Sequence, residues 1–446
     1  MRSLPRAAAV SSAVALAASL AACAAGSGGS GQGSGPAAAP ARDAEFSLTV
    51  WSNYSGREQD EVTKALESFK EKFPNAVIEH QGSQDDDKIT AGIRGGNPPD
   101  VALSFTTDNI GQFCSSGAFQ PLKPYLDRDG VDLGQIPDAV RSYTEYKGNR
   151  CAMPMLSDVY GLYYNKELLA AAGITAPPRT TSELLDFAKR TTRRAADGSL
   201  EVVGFLPSMP FYANRPQIWA PHFGAEWETA DGRSGLATPE WAAMLEFQKR
   251  LVDFYGHDAL ERFRAGLGQE YSADHAFHRQ KIAMMVDGEY RTAFLADQAP
   301  EVEFGTAPFP VPDDRPDLYG TGFTTGTIMG IPKGAGNPGA AWELIKHLAL
   351  DTDTVVELAN GIKNIPSTKA ALADPGLEVD ENFRTFVDLA TSGKLRGNPV
   401  TPIGDAHIKA VGDFATAWQA GQVPDVLAGL REVDRRVDEQ IAKSGK

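Results

Sequence analysis

Phe46-Ser47-Leu48-Thr49-Val50-Trp51 is followed by Ser55 and Glu58 and by the apolar series Val62, Leu66, Phe69 and Phe73. This stretch decides how the rest is read. Apolar residues alternate with polar ones over the first six positions, the period of a strand with one face buried. Ser55 and Glu58 stand at capping-box spacing, and the four apolar residues behind them recur along one helix face. Val77 to His80 then reads as a second strand, and Asp100 to Phe105 as a third, after the break at Asn97-Pro98-Pro99. Strand, helix and strand in succession predict an α/β fold.

The pattern continues outward. Tyr160 to Asn165, Val202 to Leu206 and Ile282 to Val286 read as strands. Thr180 with Glu183 forms a second capping box, and Thr238-Pro239-Glu240 and Asn337-Pro338 place a cap residue before a first-turn proline. No internal repeat is visible. About 400 residues follow the N-terminal region, too many for one small core and suited to two lobes.

The N-terminus is an address. Arg2 and Arg6 precede an apolar run over 7–20, shorter than the roughly 20 residues of a membrane span, and small residues then lead to Cys23. This is a secretory signal over 1–22. Leu20-Ala21-Ala22-Cys23 looks like a bacterial lipobox, which would make Cys23 the acylated first residue of the mature chain. The Gly, Ser, Ala and Pro tract behind it reads as a flexible tether, bounded at 23–45. Loss of the signal removes two arginines and no acid, so the formal charge moves from −15 to −17. Such a surface excludes nucleic acid and protein-mediated binding to anionic headgroups. Cys114 and Cys151 remain as a pair in an oxidising compartment, either a disulfide or two buried thiols.

Enzyme signatures are missing from the sequence: it has no Gly-x-Ser-x-Gly elbow, His-Glu-x-x-His, Cys-x-x-Cys or Walker loop. His275 and His278 could share a helix face, but two ligands do not make a metal site, and Asp85-Asp86-Asp87 reads as a solvated turn. No metal or cofactor is expected. A glycosidase would need two opposed carboxyls, and nothing in the sequence selects a pair.

Four stretches together resemble the family of extracellular solute-binding proteins that includes maltose-binding protein. They are Leu48 to Asn53 with Phe73-Pro74-Asn75; Pro98 to Val101, then Asp108 to Gly117 and Pro121-Leu122; Met153-Pro154, Tyr160 to Lys166 and Pro177 to Thr180; and Ala283 to Tyr290, then Ala307 to Pro310, Gly330 to Lys333 and Asn337-Pro338. The resemblance implies two α/β lobes joined by chain crossings, with the ligand between them. The N-terminal lobe would hold 46–155 plus 308–351 and the C-terminal lobe 156–307 plus 352–446, with a crossing in Tyr143 to Ser157. It also implies a monomeric, non-enzymatic receptor, lipid-anchored to the outer face of the cytoplasmic membrane, which delivers a sugar or oligosaccharide to an ABC importer permease.

The same resemblance places the site residues. Asn53, Tyr54 and Ser55 follow the first strand, Ser55 serving as helix cap, ligand contact or both. Asp108 and Asn109 follow the third strand, where Asp108 is either a sugar-contacting acid or a helix cap. Asp158 matches a second sugar-contacting acid just past the crossing. Trp219 and Tyr290 are expected to stack on pyranose faces, with Asn214 and Glu289 as polar neighbours. Gly322, Phe323 and Thr324 bring backbone close to the ligand. Trp51, Trp241 and Trp342 are expected in the core. A glycerol-phosphate diester or a polyamine is the alternative ligand, a phosphate calling on Arg291 or Arg396; a secreted glycoside hydrolase is the alternative of another class.

Overall fold

The computed structural model describes residues 36–444. Cys23, the signal segment and the tether as far as residue 35 lie outside the described residues. An eleven-stranded, mixed sheet runs through the molecule. Along its main path the order is Ala76–Gln81, Phe46–Ser52, Val101–Ser104, Gly322–Gly330, Met153–Asn165, Ile282–Gly288, Leu200–Phe205 and Arg193–Arg194. Phe46–Ser52 pairs parallel with both its neighbours. The thirteen-residue strand Met153–Asn165 changes partner midway. Its first half pairs antiparallel with Gly322–Gly330, and its second half with Ile282–Gly288 and Phe304–Ala307.

Two hydrophobic clusters flank that strand, giving two lobes. Leu156 belongs to the first cluster and Val159 to the second. The chain passes back to the first cluster between Phe323 and Ile328, touches the second at Ile365, and after Ala371 and Leu377 in the first enters the second again by Phe383. The packing moves two boundaries expected from sequence. Phe309 stacks on His222, with ring centroids 3.9 Å apart, and belongs with Phe323 to the second cluster, so the return to the first lobe begins after Phe323 and not at 308. The helix Thr352–Ile362 buries Val355, Leu358, Ala359 and Ile362 in the first cluster, beside the helix Gly56–Ser68.

The tether also ends earlier than expected. Ala37 packs against the first cluster, its carbonyl accepts a bond from Arg128 at 2.7 Å, and Asn75 donates to the Asp43 carbonyl at 2.8 Å. A short run of alanine and proline can be held this way once neighbouring side chains satisfy its backbone. Trp241 and Trp342 are fully buried, whereas Trp51 is half-buried at the edge of its cluster.

Cys114 and Cys151 form a disulfide with their Cα atoms 5.4 Å apart. It ties the helix Ile110–Ser116 to the segment entering the crossing strand. Closing a loop of 37 residues stabilises a fold by about 4 kcal/mol in the chain-entropy estimate. The double variant Cys114→Ala/Cys151→Ala is therefore expected to lose about that much in urea unfolding. An unchanged midpoint would mean that the bond contributes nothing.

Candidate functional site

Between the lobes lies a cavity of about 300 Å³ with walls from both. The first lobe contributes Tyr54, Glu58, Phe105, Thr106 and Asp108. The last three follow the carboxyl end of Val101–Ser104, the edge at which open α/β sheets present their ligands. The crossing strands supply alternate residues. Asp158 and Tyr160 project from one, and Phe323, Thr325 and Thr327 from the other, because side chains two apart share a face. The second lobe closes the space with Tyr212, Arg215, Gln217, Glu270, Tyr271 and Tyr290.

The residues expected from sequence divide cleanly. Tyr54, Asp108, Asp158, Tyr290 and Phe323 line the cavity, the Tyr54 hydroxyl held 2.8 Å from that of Thr327. Asn53 and Ser55 line a neighbouring space. Ser55 takes the cap backbone conformation without a side-chain cap bond, and Glu58 turns into the cleft rather than completing a capping box. Asn109 donates to Asp86 at 2.7 Å and braces two segments of the first lobe. Glu289 sits behind the cleft wall, accepting from the Val159 amide at 2.7 Å and from the Asn364 side chain at 2.8 Å. That same Asn364 amide donates to Asp158, so Glu289 orients a lining acid at one remove.

Trp219 lies elsewhere. It is 0% exposed, packs among Phe205, Phe247 and Phe309, and donates to Asn214 at 2.8 Å. Asn214 donates onward to Gln248 and is buried too. The short helix Pro216–Trp219 turns Gln217 and Ile218 to the cleft and its tryptophan to the core. Gly322 is blocked by Leu395, and the Thr324 hydroxyl donates to the Asp158 carbonyl; both are buried and serve the crossing.

Arg291 is fully buried. It bonds Asp287 at 2.7 Å and donates to the Tyr212 hydroxyl at 2.8 Å and the Glu270 carbonyl at 2.7 Å. It stiffens the wall that carries Tyr212 and Glu270, and its charge is met inside the protein. Arg396 lines a different pocket. Of the arginines, Arg215 lines the cleft. His275 and His278 lie in turns rather than on a helix, and His275 meets the Tyr212 hydroxyl at 3.1 Å. Among the described residues no group of side chains is arranged for a metal ion.

Sequence reasoning missed Glu58, Phe105, Tyr160, Tyr212, Arg215, Glu270, Tyr271, Asn364 and Asn398. The period-two pattern starting at Asp158 could have found Tyr160. Nothing local marks Glu270 or Tyr271, which come from a loop.

Four lining carboxyls hold their protons more tightly than they would in water. Burial raises Glu58 to about 7, helped by Asp158. Burial raises Asp158 to about 7, helped by Glu270, and raises Glu270 to about 7, helped by Asp287. Asp108 is raised by burial to about 6, with Asn398 opposing the shift. These half-buried acids face a space walled by both lobes, so bringing the lobes together without ligand is expected to take up protons. It is favoured at low pH and penalised as pH rises through about 7. The ligand-free protein is therefore expected to show a larger radius of gyration by X-ray scattering at about pH 8 than at about pH 5. Equal radii would show that closure does not shield the acids.

Comparisons with known proteins bear on the family and the fold. The family model described as Bacterial extracellular solute-binding protein matches residues 64–385. The maltotriose-binding protein of Pyrococcus abyssi (strain GE5 / Orsay) is 23% identical over 336 residues, which are 75% of this chain and 69% of that protein. Among solved structures, CpMnBP1 with mannotriose bound superposes with a TM-score of 0.79 at 25% identity, covering 88% of this chain and 100% of that one. The sugar-binding protein MalE from Xanthomonas citri does so with a TM-score of 0.72 at 19% identity, covering 89% and 98%. No described helix is long and apolar enough to cross a membrane.

Proposed function

The chain belongs to the bacterial extracellular solute-binding proteins, and from that membership we propose that it captures a sugar or oligosaccharide between its lobes and presents it to the permease of an ABC importer. The observation that carries this reading is the composition of the cleft wall. Aromatic faces from both lobes, Tyr54 and Phe105 opposite Tyr271 and Tyr290, stand among carboxyl and amide groups. Pyranose rings offer apolar C–H faces to flat rings and hydroxyls to acids, and carboxylates accept hydroxyl hydrogens in charge-assisted bonds. Asp108 and Asp158 are the principal hydroxyl acceptors, with Glu58 and Glu270 beside them.

Closure follows from shared contact. A ligand touching both lobes favours the closed form by its differential affinity for that form, and the closed form docks on the permease. The protein works as a monomer outside the cytoplasm, moored by lipid on Cys23, and the cleft binds without catalysing a reaction. A glycerol-phosphate diester suits the wall poorly, because four carboxyls line it against the single lining arginine, Arg215.

Thermal-shift and calorimetric titrations against manno- and malto-oligosaccharides, glycerol-phosphate diesters and polyamines test the reading. A sugar at a hundred times its dissociation constant stabilises the protein by about 2.7 kcal/mol and is recovered unhydrolysed. A response confined to the phosphate esters or polyamines, or turnover of an aryl glycoside lost in Asp108→Ala, would overturn it.

A further inference from the structure

The cavity between the lobes carries more negative charge than neutral sugar hydroxyls call for. Four carboxyls line it, Glu58, Asp108, Asp158 and Glu270, against one cation, Arg215. Among the described residues none of the four is in a salt bridge, and the nearby cations are engaged elsewhere. Arg57, next in sequence to Glu58, pairs with Asp297 at 2.9 Å and donates to the Gly361 carbonyl at 2.8 Å. Arg291 is held by Asp287 at 2.7 Å. Acids taken out of water are ordinarily paired or hydrogen-bonded. Behind the wall this holds: Asp287 has Arg291, and Glu289 has the Val159 amide and Asn364. On the wall it does not, for Glu58 accepts no hydrogen bond among the described residues and Glu270 accepts from the Tyr290 hydroxyl at a long 3.4 Å.

Three of the acids face one another from three parts of the molecule: Glu58 from the first lobe, Asp158 from the crossing strand and Glu270 from the second lobe. They repel one another across the space, Asp158 and Glu270 acting on Glu58, and Glu270 on Asp158. Asp108 stands with Asn398 and Arg215, and Arg215 also acts on Glu270. All four acids are half-buried, so a ligand reaches them. Rings stand beside them. Phe105 and Tyr160 are half-buried, and Tyr271, next to Glu270, is 46% exposed and kept in place by Phe294, with ring centroids 5.4 Å apart. An ammonium group is drawn to ring faces as well as to carboxylates, and its three N–H donors match three acceptors. The remaining wall is mixed, since the amides of Gln217 and Asn364 and the hydroxyl of Thr325 give as well as accept. Sugar hydroxyls answer both roles, whereas a plain polyamine, all donor, leaves those amide N–H groups and Arg215 unanswered.

We propose that the cleft selects a cationic sugar, an amino sugar or an oligosaccharide carrying one, whose ammonium group lies among Glu58, Asp158 and Glu270 while Asp108 and Arg215 take hydroxyls. The proposal rests on the sugar-receptor reading above and names the charge of its ligand. Because the three acids come from both lobes and from the crossing between them, a cation placed among them removes the repulsion that opposes closure. A neutral sugar has to be enclosed with those acids protonated or in mutual repulsion.

Calorimetry at neutral pH with glucosamine, galactosamine, mannosamine and the β-1,4-linked glucosamine disaccharide tests it, each compared with its neutral hydroxyl counterpart and its N-acetylated form. In the sets that bind, the free amine is expected to bind about tenfold tighter than the hydroxyl counterpart, and N-acetylation, which removes the charge, to lose that margin. Glu58→Gln, on one lobe, and Glu270→Gln, on the other, should each cut the ratio of amine to neutral affinity by about tenfold. Their urea midpoints should be no lower than that of the unaltered protein, because each substitution removes an unpaired charge, and this reports that the variants are folded. Neutral counterparts that bind as tightly as the amines, or variants that weaken both alike, would overturn the cationic ligand and leave the receptor reading standing. If no sugar binds, charged or neutral, the receptor reading itself fails, and this proposal with it.

Discussion

Gly111→Val is expected to weaken ligand binding by about 10- to 100-fold without lowering the resistance of the protein to urea. Gly111 lies in the helix Ile110–Ser116, whose Ile110 and Phe113 are packed in the first lobe. A Cβ built on it would stand 2.0 Å from the carbonyl oxygen of Thr401 and 2.6 Å from its carbonyl carbon. Thr401 is anchored on the other side, its hydroxyl bonded to the Gly404 carbonyl beside His407, at the start of the helix Ala406–Gln419 that packs in the second lobe. The obstacle is backbone, so no rotamer change relieves it.

The clash is therefore expected to act on the approach of the two lobes, since Gly111 is packed in one and the helix that follows Thr401 in the other. Each lobe taken alone loses nothing, and exchanging a helical glycine removes a residue that costs about 1 kcal/mol relative to alanine. Gly111→Ala sharpens the test: unfolding stability holds or rises slightly while affinity falls, and the ligand-free variant scatters as an open molecule at every pH. A variant that binds as tightly as the parent would show that this approach is not part of the closed state.

The second large effect concerns the Asp287–Arg291 pair, in which both side chains are 0% exposed. Removing one member of a buried pair leaves an uncompensated charge and costs about 3–5 kcal/mol, whereas replacing both is often close to neutral. Arg291→Met and Asp287→Asn are each expected to lose that much in urea unfolding, and the double variant to regain most of it. The pair also holds the cleft wall, since Arg291 donates to the Tyr212 hydroxyl and Tyr212 donates to Asp287 at 2.6 Å. The double variant should thus recover stability more fully than affinity. Additive losses in the two single variants would mean that the charges are not coupled.

How the site compares with its sequence can be seen in single residues. Asp158 was placed by the resemblance, just past the crossing; it lies within the strand Met153–Asn165, whose period of two puts Tyr160 on the same face. Tyr290 could be placed at the end of a buried strand, next to Glu289, but which of the two met the cleft could not. Glu58 was misread because the capping-box spacing it satisfies is a local property, while the direction it takes depends on a cavity built by the other lobe. Trp219 differs for the converse reason: the resemblance put it at the ligand, and only the packing of distant segments brings Phe205, Phe247 and Phe309 around it.

Periodicity, helix punctuation and strand ends are properties of a few consecutive residues. For that reason the alternation of strands and helices, and the position of Tyr54 and Asp108 just past strand ends, were determined by the sequence itself, whereas Asp158 lies within the crossing strand Met153–Asn165. The pairing of Gly111 with Thr401, of Arg57 with Asp297, and of Tyr271 with Phe294 was decided by tertiary structure alone. These contacts join segments far apart in the chain, and their geometry depends on how the crossing strands orient one packed cluster against the other.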